Sequence, residues 1–185
     1  MSNFKSFDLN SMGFLTLNLT LLGIIIILLL VLSMLWPPDS PWAPWWRTNK
    51  KTAQAMCKLA KVGKDDIIYD LGSGDGTALI TAAKEFNAAG VGIEIDVLRA
   101  FISTLMIRIN RVVDRVTIKR KNFFDVDISK ASVVFVYLVP KALDRLLPKF
   151  KKELKKGTRI VSYRYEINLP LKKYDKENSI RLYVL

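Results

Sequence analysis

Hydrophobic positions along this chain follow two patterns, one continuous and one periodic. The sequence from Gly13 to Trp36 is almost entirely apolar, and no charged residue occurs between Asp8 and Asp39. At about 1.5 Å of rise per residue, a helix of this length reaches past the roughly 30 Å hydrocarbon core of a bilayer. Periodic patterns begin only after a segment rich in proline and tryptophan. We therefore predict four segments: an N-terminal tail (1–12), a transmembrane helix (13–36), an interfacial linker (37–49) and one folded domain (50–185).

A cleavable signal peptide is the alternative interpretation of the apolar segment. Signal peptides have a shorter apolar region, of about 7 to 15 residues, followed by small residues at a cleavage site. This run is longer and ends in the bulky sequence SMLWPP at 33–38, which favours an anchor. Cations are scarce before the segment and frequent after it, so the positive-inside rule predicts a single-pass protein with its domain in the cytoplasm. The cations that follow are Arg47, Lys50, Lys51, Lys58 and Lys61, against Lys5 before the segment.

Helical and extended patterns alternate within the domain, which is typical of a parallel sheet covered by helices. Gly63 is expected to cap the first helix, and Pro148 to divide the last one in two. Only about twenty residues follow Tyr163, so we expect an abbreviated C-terminal end of the sheet. The predicted fold class is α/β, a Rossmann-like, mostly parallel sheet. The predicted helices are 50–61, 77–86, 97–110 and 141–156, and the strands are 67–71, 91–95, 116–119, 133–137, 159–163 and 180–184.

Composition excludes several kinds of chemistry. The 185 residues contain no histidine and a single cysteine, Cys57. Serine–histidine and cysteine–histidine catalysis, histidine-ligated zinc and intrachain disulfides are therefore excluded, and we predict no metal site. The formal net charge of +12 is concentrated in short clusters of lysine and arginine. Solvated faces and helix ends explain most such clusters, but binding to anionic lipid or to RNA stays open.

The strongest local signal is a hydrophobic strand that runs into a loop with three glycines. Glycine allows a sharp turn and the close approach of a ligand at the positive end of the next helix. The dinucleotide fingerprint is G-x-G-x-x-G, whereas this loop is G-x-G-x-G with one carboxylate before it and one inside it. Two carboxylates repel a pyrophosphate but suit the cationic ammonium of a methionine group. We therefore predict S-adenosyl-L-methionine (SAM) rather than NAD or FAD, bound by Asp70, Gly72, Ser73, Gly74, Asp75 and Gly76.

A carboxylate that fits the ribose of such a cofactor lies on the second strand. Glu94 is 22 positions beyond Gly72, close to the spacing of about 20 expected for a ribose-binding carboxylate. Asp96 competes for this role but is expected to cap the following helix. We include Ile95, which follows Glu94, in the cofactor site.

Two further strand ends carry candidate residues. After the third strand, Asn122 and Phe123 can bind and cover an adenine, although Phe123 and Phe124 can equally be core residues. Tyr137 lies at the carboxyl edge of the fourth strand, where open α/β sheets keep their chemistry. A buried strand tyrosine is the alternative interpretation of Tyr137.

With these residues assembled, the chain resembles class I methyltransferases. More narrowly, it resembles a family of protein lysine methyltransferases. That family contains archaeal broad-specificity enzymes and the mitochondrial enzymes that act on adenine nucleotide translocase and on the ATP synthase c-subunit. The resemblance extends from about Pro44 to Ser162, and the Tyr-Leu-x-Pro element is its narrower marker. It departs from the family pattern at Arg47, where a proline is usual, and at Thr77, where an arginine is usual. The motifs that carry it are DLGSGDG at 70–76, GVGIEID at 90–96, YLVP at 137–140 and GTRIVS at 157–162.

The resemblance implies transfer of a methyl group from SAM to a lysine amine by in-line displacement. It implies that Thr48 approaches the methionine end of the cofactor. Tyr137 and the backbone from Leu138 to Pro140 are expected to hold the amine. The anchor points to a lysine of a membrane protein as the substrate. Methylation of RNA or of a membrane-borne quinone or lipid stays open, as does an inactive cofactor-binding scaffold at the membrane.

Overall fold

The computed structural model describes residues 9–35 and 47–185, so the tail up to residue 8 and most of the predicted linker lie outside the described residues. The first element is a 27-residue helix, α1 (Leu9–Leu35). Its large apolar side chains between Met12 and Leu32 are 48–71% exposed, so the described part of the protein does not cover them. One stretch, Met12–Leu32, is long and apolar enough to span a bilayer.

Three polar side chains in the middle of α1 donate hydrogen bonds within the helix itself. Thr16 Oγ1 donates to the carbonyls of Met12 and Gly13, and Thr20 Oγ1 donates to the carbonyl of Thr16 at 2.9 Å. Asn18 Nδ2 donates to a carbonyl one turn earlier, at 2.7 Å. Internal hydrogen bonds of this kind reduce the cost of placing a polar group in lipid.

The domain alternates helices and strands as the sequence pattern predicts. Its seven strands form one sheet in the order β3-β2-β1-β4-β5-β7-β6. The neighbouring pairs from β3 to β5 are all parallel, and β7 runs antiparallel to β5 and β6. The Rossmann-like α/β prediction is confirmed. The elements are α2 (Lys50–Leu59), β1 (Ile67–Leu71), α3 (Thr77–Phe86), β2 (Ala89–Glu94), α4 (Val97–Ile109), β3 (Val116–Arg120), β4 (Val133–Val136), α5 (Pro140–Glu153), β5 (Arg159–Tyr163), β6 (Leu171–Asp175) and β7 (Ile180–Val184).

Three local expectations need correction. Helix α2 ends before Ala60, with the left-handed turn at Lys61 (φ 51°) and not at Gly63. Helix α5 runs unbroken through Pro148, because this proline is exposed and the carbonyl of Asp144, on the same exposed side, can bond to water instead. Strand β6 was not predicted.

Two apolar layers hold the helices on the sheet. Helices α2, α3 and α4 pack on one face through residues such as Met56, Leu79 and Ile107. Helix α5 packs on the opposite face through Leu143 and Phe150, among others. The strand order reverses on either side of β1, and at this switch point an open α/β sheet forms a crevice at its carboxyl edge.

Candidate active site

The glycine loop after β1 is bent by its backbone conformation. Gly72, Gly74 and Gly76 all have positive φ, of 85°, 56° and 79°, a region that other residues rarely adopt. The N–H groups of Gly72 and Ser73 both donate to the carbonyl of Ile93, at 2.8 and 3.1 Å. The loop is thereby folded back against the end of β2.

The loop also packs closely against its neighbours. A Cβ atom on Gly76 would lie 2.7 Å from Ser103 Oγ on α4, and one on Gly92 would lie 2.7 Å from Ser73 Oγ. The Ser73 hydroxyl is buried and has no hydrogen-bond partner among the described residues. Because Ser73 lines the cleft described below, this hydroxyl is suited to a polar group of a bound ligand. The residues present therefore fit a nucleoside cofactor at this loop.

Glu94 joins the loop to the end of β2. Its Oε2 accepts the N–H of Gly74 at 2.8 Å, and its Oε1 accepts the N–H of Asp96 at 3.0 Å. Burial raises the pKa of Glu94 above its ordinary value, although both backbone N–H groups act to lower it. Asp96 caps α4 as expected, because its Oδ1 accepts the N–H of Arg99 at 2.8 Å.

Two more carboxylates lie beside Glu94. Asp70 is buried near the end of β1, and burial raises its pKa to about 7, with further contributions from the charges of Glu94 and Asp75. Asp75 Oδ2 pairs with Arg47 Nε at 2.6 Å, and its Oδ1 accepts the N–H of Thr77 at 3.0 Å. Arg47, which departs from the family pattern, thus neutralises the outer carboxylate of the loop.

These groups line an open cleft at the carboxyl edge of the sheet. Three predicted site residues lie outside its lining. Gly76 caps α3, Asn122 Oδ1 accepts the N–H of Phe124 at 3.1 Å, and Pro140 is the exposed first residue of α5. The predicted residues that the cleft brings together are Thr48, Asp70, Gly72, Ser73, Gly74, Asp75, Glu94, Ile95, Phe123 and Tyr137.

The cleft also includes residues that sequence reasoning did not single out. Met56, Ala78 and Arg99 reach it from α2, α3 and α4, and Val136 from β4. The helical pattern of a sequence does not indicate which residues of a helix will face a cleft formed by strands that are distant in sequence. Among the described residues, no group of three or more metal-ligating side chains comes together.

A cluster of tyrosines forms the rim of the cleft beside β4. The ring of Tyr137 lies 4.5 Å from that of Tyr163 and 6.4 Å from that of Tyr165, centroid to centroid. All three are half-buried. The guanidinium of Arg164 lies 5.5 Å from the Tyr163 centroid and 5.8 Å from that of Tyr137. The pairing of Val136 with Ser162 brings the ends of β4 and β5 together, and sequence reasoning did not foresee this cluster.

Comparison with known proteins identifies the family. A family model described as the ANTKMT methyltransferase domain matches residues 70–170, which is more than half of the chain. This chain belongs to that family. A protein-lysine N-methyltransferase of Saccharolobus islandicus (strain REY15A) is 47% identical to it over 128 residues, which are 69% of this chain and 80% of the relative.

Solved structures agree with the ANTKMT family assignment. An RNA methyltransferase from Salinibacter ruber, in complex with S-adenosyl-L-homocysteine, matches with a TM-score of 0.73 and 34% identity. The match covers 75% of this chain and 93% of that one. A SAM-dependent methyltransferase from Thiobacillus denitrificans, 15% identical with a TM-score of 0.58, shares the fold over 79% of this chain and 58% of its own. The chain is a SAM-dependent methyltransferase, and the predicted family, fold and cofactor are confirmed.

Proposed function

We propose that this enzyme methylates the side-chain amine of a lysine in a protein target at a membrane surface. The observation that carries the chemistry is the tyrosine cluster of Tyr137, Tyr163 and Tyr165 at the rim of the cleft. The guanidinium of Arg164 lies within 6 Å of two of its rings. A surface that holds one organic cation by cation–π attraction suits a lysine ammonium and its methylated forms. The 47% identical protein-lysine N-methyltransferase supports the same class of substrate.

The residues of the cleft divide into groups that fit the parts of the cofactor. SAM supplies an electrophilic methyl group when it is bound. We assign Glu94 to the ribose hydroxyls, because each of its oxygens accepts one backbone N–H and keeps further lone pairs. The carboxylate of Asp70 suits a cationic ammonium, whereas that of Asp75 is already paired with Arg47. We assign Phe123 to the adenine and Thr48 to the methionine end.

The contribution of the protein to methyl transfer is to align a neutral amine and to limit water. Burial raises the pKa of the Tyr137 phenol above its ordinary value, so this phenol keeps its proton at neutral pH. It serves as a hydrogen-bonding partner of the amine and not as a base. The amine loses its proton to solvent, which the half-buried rim allows. The backbone from Leu138 to Pro140 is a further candidate to hold the amine.

A membrane location is supported by the anchor and by the point where the domain begins. Between Met12 and Leu32, helix α1 is apolar and exposed, and Thr16, Asn18 and Thr20 bond within the helix. The described chain resumes at Arg47, which lines the cleft, so residues 36–46 can span at most about 40 Å. A tether this short keeps the cleft near the headgroups and favours targets in the same membrane. The flanking cations favour the cytoplasmic side.

Methylation of RNA is the second candidate. It is favoured by the net charge of +12 and by the 34% identical structure, which is described as an RNA methyltransferase. Phosphate contacts make RNA binding strongly dependent on salt. Methylation of lysine and methylation of RNA should therefore differ in their products and in how strongly substrate binding depends on salt concentration.

Labelled methyl transfer separates these candidates. The full-length enzyme in membranes of its source organism is incubated with methyl-labelled SAM, and the product is treated with protease or with RNase. We expect the label to be released by protease, to resist RNase and to appear as methyllysine after acid hydrolysis. Label released by RNase, with no methyllysine, would contradict the lysine proposal.

A further inference from the structure

The outward side of α4 carries a row of exposed apolar side chains, which we call the α4 stripe: Val97, Phe101, Leu105, Ile109 and Val113. Their exposed fractions are 55, 65, 46, 63 and 60%. Within residues 47–185, only three other large apolar side chains are exposed, and they lie apart on β1, β6 and β7. Five of the eight exposed large apolar side chains in this range thus lie on one helix and the turn that follows it. Large contiguous patches of this kind mark sites of interaction with a partner or a membrane.

The α4 stripe is distinct from the packing face of its helix. Ala100, Ser103 and Ile107 are buried towards the sheet. Successive residues of a helix are about 100° apart, so the four stripe residues within α4 fall in an arc of about 120°, roughly opposite the buried ones, and Val113 follows in the turn after the helix. The helix is therefore apolar on both sides, although only one side is needed to pack on β2 and β3.

Positive charge borders the α4 stripe at both of its ends, since β3 ends beside Glu94, where the stripe begins. The segment 108–121 contains six cations and one carboxylate, Asp114. All six cationic residues are exposed; three lie at the end of α4 and in the turn that follows it, and three lie at the carboxyl end of β3, the edge strand beside α4. An apolar helix face bordered by lysine and arginine is typical of helices that lie in the interface of an anionic membrane. The cations are Arg108, Arg111, Arg115, Lys119, Arg120 and Lys121.

The position of the α4 stripe fits the reach of the anchor. Val97 follows Glu94 of the cleft by three residues, so the stripe begins at the carboxyl edge of the sheet. Arg47, where the tether joins the domain, also lines that cleft. Tether and stripe therefore meet the same edge, and a bilayer that holds α1 lies within reach of α4.

We propose that the α4 stripe is a second membrane contact, which lies in the headgroup region of an anionic bilayer and holds the cleft close to the membrane surface. This inference rests on the membrane part of the proposed function. The 13 residues of α4 give a helix of about 20 Å, which lies parallel to the surface with its basic border at the phosphates. A second copy of this chain and a protein partner are the alternative occupants.

Depth-dependent fluorescence quenching tests this contact in the full-length protein. Variants F101C and L105C, each with one added cysteine, are labelled with a small fluorophore and reconstituted in vesicles with 30% phosphatidylglycerol that contain a lipid-borne nitroxide quencher. K152C is the matched control, because Lys152 is exposed on α5, on the opposite face of the sheet. Native Cys57 stays unlabelled, since it is fully buried and burial raises its thiol pKa to about 12.

We expect quenching at positions 101 and 105 to exceed that at 152 at least threefold, and to fall in vesicles of pure phosphatidylcholine. Equal quenching at the three positions would overturn the proposal. Protection of the label at 101 from aqueous iodide without quenching by lipid would also overturn it, and would indicate a second copy or a protein partner. The paired variant F101E/I109E should reduce quenching at 105 severalfold.

A label in the anchor separates this proposal from the one on which it rests. L22C lies in the middle of α1 and should be strongly quenched whatever α4 does. Quenching at 22 without quenching at 101 or 105 overturns the second contact alone. No quenching at 22 overturns the anchor and the second contact together. The methyllysine assay is independent of both, so the chemical part of the proposed function is tested separately.

Discussion

One oxygen of the Glu94 carboxylate accepts the backbone N–H of Gly74 at 2.8 Å, so the residue assigned to the ribose also fixes the glycine loop. Its other oxygen accepts the N–H of Asp96. An amide in place of this carboxylate would turn an NH₂ group towards one of these donors. E94Q should therefore weaken SAM binding about tenfold to a hundredfold, which corresponds to about 1.4–2.8 kcal/mol.

Isothermal titration calorimetry with SAM measures this effect. D96N makes the same chemical change two residues later, but asparagine caps a helix as well as aspartate does. We expect D96N to bind SAM within about threefold of the unmodified protein. Equal losses of SAM affinity in E94Q and D96N would contradict the assignment of Glu94 to the ribose.

Replacing Gly74 tests the loop itself. A valine at φ 56° is strained by about 1–2 kcal/mol or more. G74V should abolish detectable SAM binding. Gly63 is the control, because it has no positive φ and nothing lies within 4 Å of the position of an added Cβ. G63A should bind normally, and unchanged affinity in a folded G74V protein would show that the loop does not hold the cofactor.

The buried carboxyl of Asp70 should make the cofactor-free fold less stable as the pH rises. Its pKa is raised to about 7 from an ordinary 3.8, so the folded state holds the proton more tightly than the unfolded chain does. The free energy of unfolding should therefore fall between about pH 4 and pH 7, by up to about 4 kcal/mol for a shift of this size. D70N should lose most of this dependence.

Thermal unfolding at a series of pH values checks this prediction. D144N, at an exposed position on α5, should follow the unmodified protein. Identical pH profiles of D70N and D144N would mean that Asp70 is not the group that titrates. Added SAM should oppose the destabilisation above pH 7, because its ammonium favours the charged carboxylate.

The tyrosine cluster should affect methyl transfer and leave cofactor binding unchanged. Y163A removes a ring that contacts Tyr137 at 4.5 Å, and cation–π contacts contribute about 0.5–2 kcal/mol. The rate of lysine methylation should fall about threefold to thirtyfold, with SAM affinity preserved. Y163F keeps the ring face and should retain most of the activity.

Tyr174 provides a matched control for the loss of a ring. It has the guanidinium of Arg181 at 4.3 Å from its centroid, but it lies on β6 and, among the described residues, no ring contact joins it to Tyr137. Y174A should methylate at the normal rate. Similar losses of methylation rate in Y174A and Y163A would indicate a general effect of removing aromatic rings from the surface.

Removing residues 1–40 tests the value of the anchor. The tether limits the distance between bilayer and cleft, so it raises the local concentration of membrane-borne targets. The truncated enzyme should bind SAM with unchanged affinity and methylate the native membrane target at least tenfold more slowly at equal enzyme concentration. A soluble peptide with the same lysine should be modified equally by both forms. Equal rates on the membrane target would refute the tethering idea.

The sequence was sufficient to predict the fold where residues typical of helix ends stand at the boundaries of the elements. Helix α3 has the predicted bounds, 77–86, because Gly76 and Asn87 have left-handed conformations on either side of it. Strand β6 escaped prediction because its sequence LKKYD is mostly exposed and lacks an apolar face of its own. It forms only because β7 offers an antiparallel edge.

The site was predictable as far as it is built from consecutive residues. The glycine loop and Glu94 could be identified from their spacing in the sequence, and in the structure a hydrogen bond joins them. Tyr163 and Tyr165 were missed because only the pairing of β4 with β5 places them beside Tyr137. The ion pair between Arg47 and Asp75 is likewise a product of tertiary structure.

The short connection between β5 and β6 bears on the kind of substrate that this cleft can accept. Seven residues, 164–170, join the two strands without a helix, and the tyrosine rim beside them stays half-open to solvent. An enzyme for a small molecule has to enclose it with its own chain in order to exclude water. In this enzyme a folded protein substrate can exclude water from the cleft with its own surface. The shape of that protein around the target lysine then contributes to its recognition. Short peptides that contain this lysine should then be poorer substrates than the folded protein from which they are taken.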